Sequence, residues 1–173
     1  ISADRGPMGH VAPAVAWAGD RLFIWSGSPG QAEKGGPLLP PLDSGAAYSI
    51  DTDSWVPVPT DGAPSPRMGA NAIWTGREVI VWGGRTQDDV GQWIALNDGG
   101  RFDPATEQWR GMEPLVIAED EDAMPPFVLW TGSTMIVWDG SRDEPPRPGW
   151  AYDPDADAWS EISAQSGDVA GSC

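Results

Sequence analysis

The sequence predicts an all-β fold assembled from three repeated units, each of four short antiparallel strands. Tryptophan spacing is the main reason. Trp17, Trp74 and Trp130 stand 57 and 56 residues apart, and each is followed eight positions later by another tryptophan, Trp25, Trp82 and Trp138. Each copy then ends on an aromatic residue with a third tryptophan seven positions on: Tyr48 and Trp55, Phe102 and Trp109, Tyr152 and Trp159. Nine of the eleven tryptophans thus hold repeat positions. A unit of this length cannot bury both its faces alone and must stack on its neighbours. The second observation is punctuation: Gly 22 and Pro 18 are high counts, placed where short strands would turn. The third is that no helix-period pattern of useful length occurs.

The second copy shows the elements in order. Met68–Trp74 reads as a strand, and Thr75-Gly76 as a tight turn in which glycine supplies a positive φ. Val79-Ile80-Val81-Trp82 is apolar at consecutive positions, as expected of a strand covered on both faces. Gly83-Gly84 ends it, and a loop runs to about Asp98. Gly99–Phe102 forms a third strand, Asp103-Pro104 a turn, and Gln108–Met112 a fourth strand. In the first copy the leading pair is Ala14–Trp17 and Leu22–Trp25, joined at Ala18-Gly19. In the third it is Phe127–Trp130 and Met135–Trp138, joined at Thr131-Gly132.

Strand, turn, strand, double glycine, then Tyr/Phe-Asp-Pro and tryptophan: this order resembles the Kelch repeat. The best match is Val81-Trp82-Gly83-Gly84 with Arg101-Phe102-Asp103-Pro104 and Trp109, and the resemblance covers residues 7 to 162. It implies a β-propeller segment of three Kelch-like blades, at 1–60, 61–116 and 117–165, with a tail at 166–173. The match departs from the family at Ser26-Gly27 and Asp139-Gly140, which replace the double glycine, and at Ser49-Ile50, which replaces Asp-Pro. Looser turns are expected in those outer copies. The resemblance also implies that loops 28–45, 85–98 and 141–149 emerge on one face with connections 57–67 and 112–124. Copper oxidase members of the family need histidine and cysteine in their site, so that activity does not transfer.

Charge narrows the partners. With 26 acidic and 10 basic residues the net charge is −16, which repels phosphate backbones and anionic lipid. Nucleic acid is therefore not an expected partner. No run approaches 18 apolar residues, so no membrane insertion is expected either. Ile1 in place of Met is consistent with a processed or excised product, and an extracytoplasmic or secreted setting is expected. Cys173, the single cysteine, excludes an internal disulfide.

The inventory also limits chemistry. One histidine, His10, and one terminal cysteine cannot build a Cys/His zinc site or a convincing nucleophile–histidine–acid set. No catalytic residue and no cofactor is expected. Asp153, Asp155 and Asp157 alternate like a calcium loop but lack its glycine and distal glutamate, and they coincide with a repeat turn. Glu119-Asp120-Glu121-Asp122 reads as a solvated connection. The repeated tryptophans are expected to fill the wedges between sheets, at roughly 2 to 3 kcal/mol each. Trp93 lies off the pattern, in a loop. With Arg85, Arg142 and Arg147 it makes the candidate partner-binding set.

Propellers close with four or more blades, so three leave two outer sheet faces bare. Were each to expose about 500 Å² of apolar surface, covering it is worth roughly 12 kcal/mol at ~25 cal/mol per Å². Closure as a six-bladed ring by a homodimer, by additional blades or by a partner subunit is expected, with Trp17–Trp25 and Trp130–Trp138 at the interface. The functional expectation is a non-catalytic interaction module that binds a protein or glycan through its loop face. The alternative is part of a carbohydrate-active enzyme whose active residues lie on missing blades.

Overall fold

The computed structural model describes residues 6, 11–116, 126–138 and 148–162. The chain divides into two compact units, residues 1–119 and 120–173. The described residues contain strands and turns and no helix.

Unit one begins with a four-stranded antiparallel sheet: β1 (Ala14–Ala18), β2 (Arg21–Trp25), β3 (Gly45–Ser49) and β4 (Ser54–Val58), in that spatial order. A second sheet holds β5 (Asn71–Trp74), β6 (Val79–Trp82), β9 (Gly99–Asp103) and β10 (Gln108–Gly111), again in chain order from one edge to the other. Between β6 and β9 the chain makes a separate two-stranded ribbon, β7 (Arg85–Gln87) and β8 (Trp93–Ala95). The described residues of unit two form one sheet: β11 (Phe127–Trp130), β12 (Met135–Trp138), β13 (Gly149–Asp153) and β14 (Ala158–Ile162). The three four-stranded antiparallel sheets are those the repeat predicts.

Two expectations need correction. Met68–Ala70 is not part of the strand that follows. Gly69 takes a φ of 68°, which breaks the extended backbone, so Met68 makes only an isolated bridge to Arg85. Residues 85–98 are not a plain loop, because the β7–β8 ribbon occupies most of that span.

Register places the repeat residues on two chemically different faces. On the first sheet, Ala14, Ala16, Ala18, Phe23, Trp25 and Val58 share one face, as the pairings Ala14↔Trp25 and Ala16↔Phe23 require. Val15, Trp17, Leu22, Ile24, Tyr48 and Trp55 share the other. The first face packs on Ala72, Trp74, Val79, Val81, Phe102 and Trp109 of the second sheet, forming the main core. Three small alanines on β1 leave room for large aromatics opposite. Phe23 meets Phe102 at 5.5 Å and Trp25 meets Trp109 at 4.7 Å between ring centroids. Such pairs contribute about 0.5–1.5 kcal/mol beyond area burial. Gly45 makes this possible: a Cβ there would lie 2.5 Å from Cε3 of the Trp25 ring.

The wedge expectation holds for Trp25, Trp74 and Trp109 and fails for Trp17 and Trp138. Trp17 is 49% exposed and Trp138 is 52% exposed. Trp17 lies on the face of the first sheet turned away from the second. Trp138 lies on the same face of its sheet as Phe127 and Leu129, which are also exposed.

The first copy is not looser at Ser26-Gly27, while Asp139-Gly140 of the third lies outside the described residues. Ser26 holds a φ of 56° and is fully buried. Its hydroxyl lies 2.5 Å from the Leu42 carbonyl and 2.7 Å from that of Arg67, and it accepts the Arg67 N–H at 2.8 Å. The hydroxyl therefore supplies contacts that glycine could not. Asp53, Glu107 and Asp157 occupy one repeat position, each with positive φ. Two of them accept a tyrosine hydroxyl five residues upstream, Tyr48 to Asp53 and Tyr152 to Asp157, both at 2.5 Å.

The bond to Asp53, with burial and the carboxylate charge adding to it, raises the Tyr48 phenol above the usual 10. The folded chain thus keeps this proton to higher pH than the unfolded chain does. Stability from this group is complete below pH 10 and lost as pH rises through the folded pKa. With Tyr152→Phe, Tyr48 becomes the only tyrosine, since the sequence has Tyr 2. Absorbance at 295 nm should then show ionisation above the free phenol value, together with unfolding. Titration at or below the free value would contradict the bond.

Candidate functional site

The β7–β8 ribbon is the one sheet of unit one with no buried residue in its described strands. Its root is fixed by backbone geometry. Gly83 and Gly84 take φ values of 73° and 87°, and a Cβ at Gly84 would lie 2.8 Å from both the Met68 carbonyl and the Ala70 nitrogen. Glycine is thus required twice over, by conformation and by space. Beyond it, Arg85 and Met68 exchange both backbone hydrogen bonds, at 2.9 and 3.0 Å. The connection before β5 is thereby tied to the loop after β6. Val11 and Ser28 do the same 57 residues earlier, exchanging bonds of 2.6 and 3.0 Å.

Beneath the root lies Arg67, fully buried. Nε donates to the Ser65 carbonyl at 2.8 Å, and Nη1 to the carbonyls of Gly83 and Asp98 at 3.1 and 3.0 Å. Nη2 donates to Ser65 Oγ at 2.9 Å and pairs with the Asp98 carboxylate at 3.0 Å. Burial pulls the guanidinium below its ordinary pKa, and Asp98 opposes that shift. Both ends of the ribbon's loop, Gly83 and Asp98, are thus held by one side chain. The sequence reading missed Arg67. Its only signal is an arginine directly after Ser65-Pro66 and before an apolar strand.

The ribbon itself pairs Arg85↔Ala95, Thr86↔Ile94 and Gln87↔Trp93. Alternation puts Arg85, Gln87, Trp93 and Ala95 on one face, and Thr86 with Ile94 on the other. The Arg85 guanidinium carbon sits 5.7 Å from the Trp93 ring centroid, across the diagonal of the pair. Asp88 shapes the tip: its Oδ1 accepts the N–H of Val90 at 3.0 Å and of Gln92 at 2.8 Å. Val90, at the tip, is 77% exposed, and Ile94 is also exposed.

The structure therefore brings two of the four candidate residues, Arg85 and Trp93, into one stacked pair. Arg142 and Arg147 lie outside the described residues, as do His10, Glu119–Asp122, Asp139-Gly140 and Cys173. Trp93 is half-buried and serves as the platform for Arg85.

The other polar clusters have structural tasks. Glu78, nearly buried, meets Arg101 at 3.7 Å and Arg110 at 2.5 Å. Asp153 accepts the N–H of Asp155 at 2.9 Å and of Ala156 at 3.3 Å, and Asp157 receives Tyr152. The alternating aspartates thus form a hydrogen-bonded turn. No group of three or more His, Cys, Asp or Glu stands ready to hold a metal among the described residues.

No family model matches the chain, and no curated protein matches it. Among solved structures it is similar to one titled "Structure of YjhT", with a TM-score of 0.65 at 14% identity. The match covers 94% of this chain and 54% of that one, so the chain spans about half the length of the structure it resembles. At that identity the likeness speaks for fold alone. Together with the three repeated sheets, it makes this chain an all-β segment of β-propeller architecture.

Proposed function

We propose that the chain is a Kelch-like interaction module that binds a protein or glycan through the β7–β8 ribbon. The observation that carries this is the Arg85–Trp93 stack on a ribbon whose root is locked by Arg67, Gly84 and Met68. A rigid base with an exposed tip is how binding loops avoid an ordering cost on association. Arginine and tryptophan are the residue types that most often dominate binding energy when a partner desolvates them. Val90 adds exposed apolar surface at the tip and Ile94 adds more on the ribbon's other face, which favours a protein partner. Nothing in the ribbon offers a nucleophile beside a base, so the supported role is recognition.

The test is affinity capture with the immobilised chain, as wild type and as Arg85→Ala with Trp93→Ala. A protein or glycan retained by the wild type should lose at least tenfold in affinity with the double variant. The melting temperature should move by only a few degrees, since an exposed cation–π pair contributes about 0.5–1 kcal/mol. Equal retention by both forms would remove the ribbon from the interface.

A further inference from the structure

We propose that the outer face of β11 and β12 in one copy of this chain docks on the outer face of β1 and β2 in a second copy, head to tail. The first of these faces carries Phe127, 69% exposed, and Leu129, 66% exposed, with Ile136 and Trp138 beside them in register. The second carries Val15 and Trp17, both about half exposed, with Leu22 and Ile24 partly buried beside them. Each is a contiguous apolar sheet surface, larger than scattered exposed residues would explain.

What covers such faces is shown within unit one. There the Trp25 face of the first sheet packs on the Trp74 face of the second. Repeat position identifies the two outer faces with these two partners. Phe127, Leu129, Ile136 and Trp138 stand where Ala14, Ala16, Phe23 and Trp25 stand in the first copy. Val15, Trp17, Leu22 and Ile24 stand where Ala72, Trp74, Val79 and Val81 stand in the second. The outer faces are therefore the two complementary halves of a contact the chain already makes once. Like faces do not form this contact; unlike faces do, which makes the association heterologous.

The remainder of the first sheet's outer face is already treated as it is in the internal contact. Gly6 lies against the Trp55 ring, where a Cβ would sit 3.3 Å from Nε1. One repeat later, 57 residues on, Ala63 packs in the core that contains Trp109. That cover coexists with sheet stacking there, so it does not obstruct docking here. Trp25 is sealed inside unit one and takes no part, unlike the expectation that placed it at the interface.

Charge sets the conditions. Each copy carries −16, so long-range repulsion opposes association and salt relieves it. The purified 173-residue chain at micromolar concentration, in about 0.15 M salt or more, should sediment as a dimer of 18.4 kDa subunits. Lowering the salt to about 0.01 M should shift it toward monomer. Val15→Glu and Leu129→Glu should each abolish self-association, while circular dichroism and cooperative melting remain those of a folded chain.

Mixing the two variants is the decisive arm. Val15→Glu keeps the third-sheet face and Leu129→Glu keeps the first-sheet face, so an equimolar mixture should recover one contact and form heterodimers. Three results would overturn the proposal: a cooperatively folding wild-type monomer at all salt concentrations, a Val15→Glu or Leu129→Glu chain that still dimerises with itself, or a mixture that stays monomeric. Loss of partner capture in the Arg85 and Trp93 variant leaves this readout untouched, so the two readings fail separately.

Discussion

Arg67→Ala is expected to destabilise unit one by about 2–4 kcal/mol, more than any surface substitution in the chain. The cause is not the ion pair with Asp98, whose side chain is 46% exposed and in solvent contributes little. It is the buried carbonyl of Gly83 and the part-buried carbonyls of Ser65 and Asp98, which lose the guanidinium donors together. Losing the donor costs about 1–3 kcal/mol at the buried Gly83 carbonyl and less at the other two, since Asp98 keeps the Gly83 N–H at 3.0 Å and Ser65 is exposed to water. Arg67→Met keeps much of the volume but none of the donors, so it should recover little of the loss. Urea denaturation at unchanged slope would read both values. A cost below about 1 kcal/mol for alanine would mean that water replaces the guanidinium at little penalty. Because Arg67 ties down Gly83 and Asp98, the same variant should loosen the ribbon, visible as faster amide exchange at Arg85–Ala95.

Trp109→Ala should cost about 3–5 kcal/mol, and Trp109→Phe distinctly less, about 1–3 kcal/mol. Alanine empties the space where Trp109 meets Trp25, Phe23 and Phe102, with ring centroids at 4.7, 6.1 and 5.1 Å. Phenylalanine keeps most of the apolar contact but cannot donate to the Pro59 carbonyl, which the indole Nε1 reaches at 2.7 Å. The ordering separates cavity formation from hydrogen-bond loss in one position. Equal effects in chemical denaturation would show that the Pro59 bond, rather than packing, dominates the site.

Much of the architecture was legible because it rests on local rules. Val79–Trp82 reads as a doubly covered strand and all four residues are buried. Thr75-Gly76 reads as a turn, and Thr75 Oγ1 indeed accepts the Glu78 N–H at 3.0 Å to close it. The ribbon was not legible. Arg85-Thr86-Gln87 and Trp93-Ile94-Ala95 are too short and too polar for a period, and their pairing depends on Asp88 folding the tip. Arg67 escaped for a related reason: its partners lie as far as 31 residues away, and no sequence pattern links a guanidinium to backbone carbonyls.

By itself the sequence determined the repeat, the strand order within each copy, and an inventory that cannot build a Cys/His zinc site or a nucleophile–histidine–acid set, since these depend on spacing and residue counts. Tertiary structure alone decided what each repeated residue does. Trp25, Trp82 and Trp138 hold one position in three copies, yet the first two are sealed and the third is half exposed. Spacing sets which face of its own sheet a side chain occupies. Whether that face is buried depends on what stacks against it, and stacking joins residues that no local period relates.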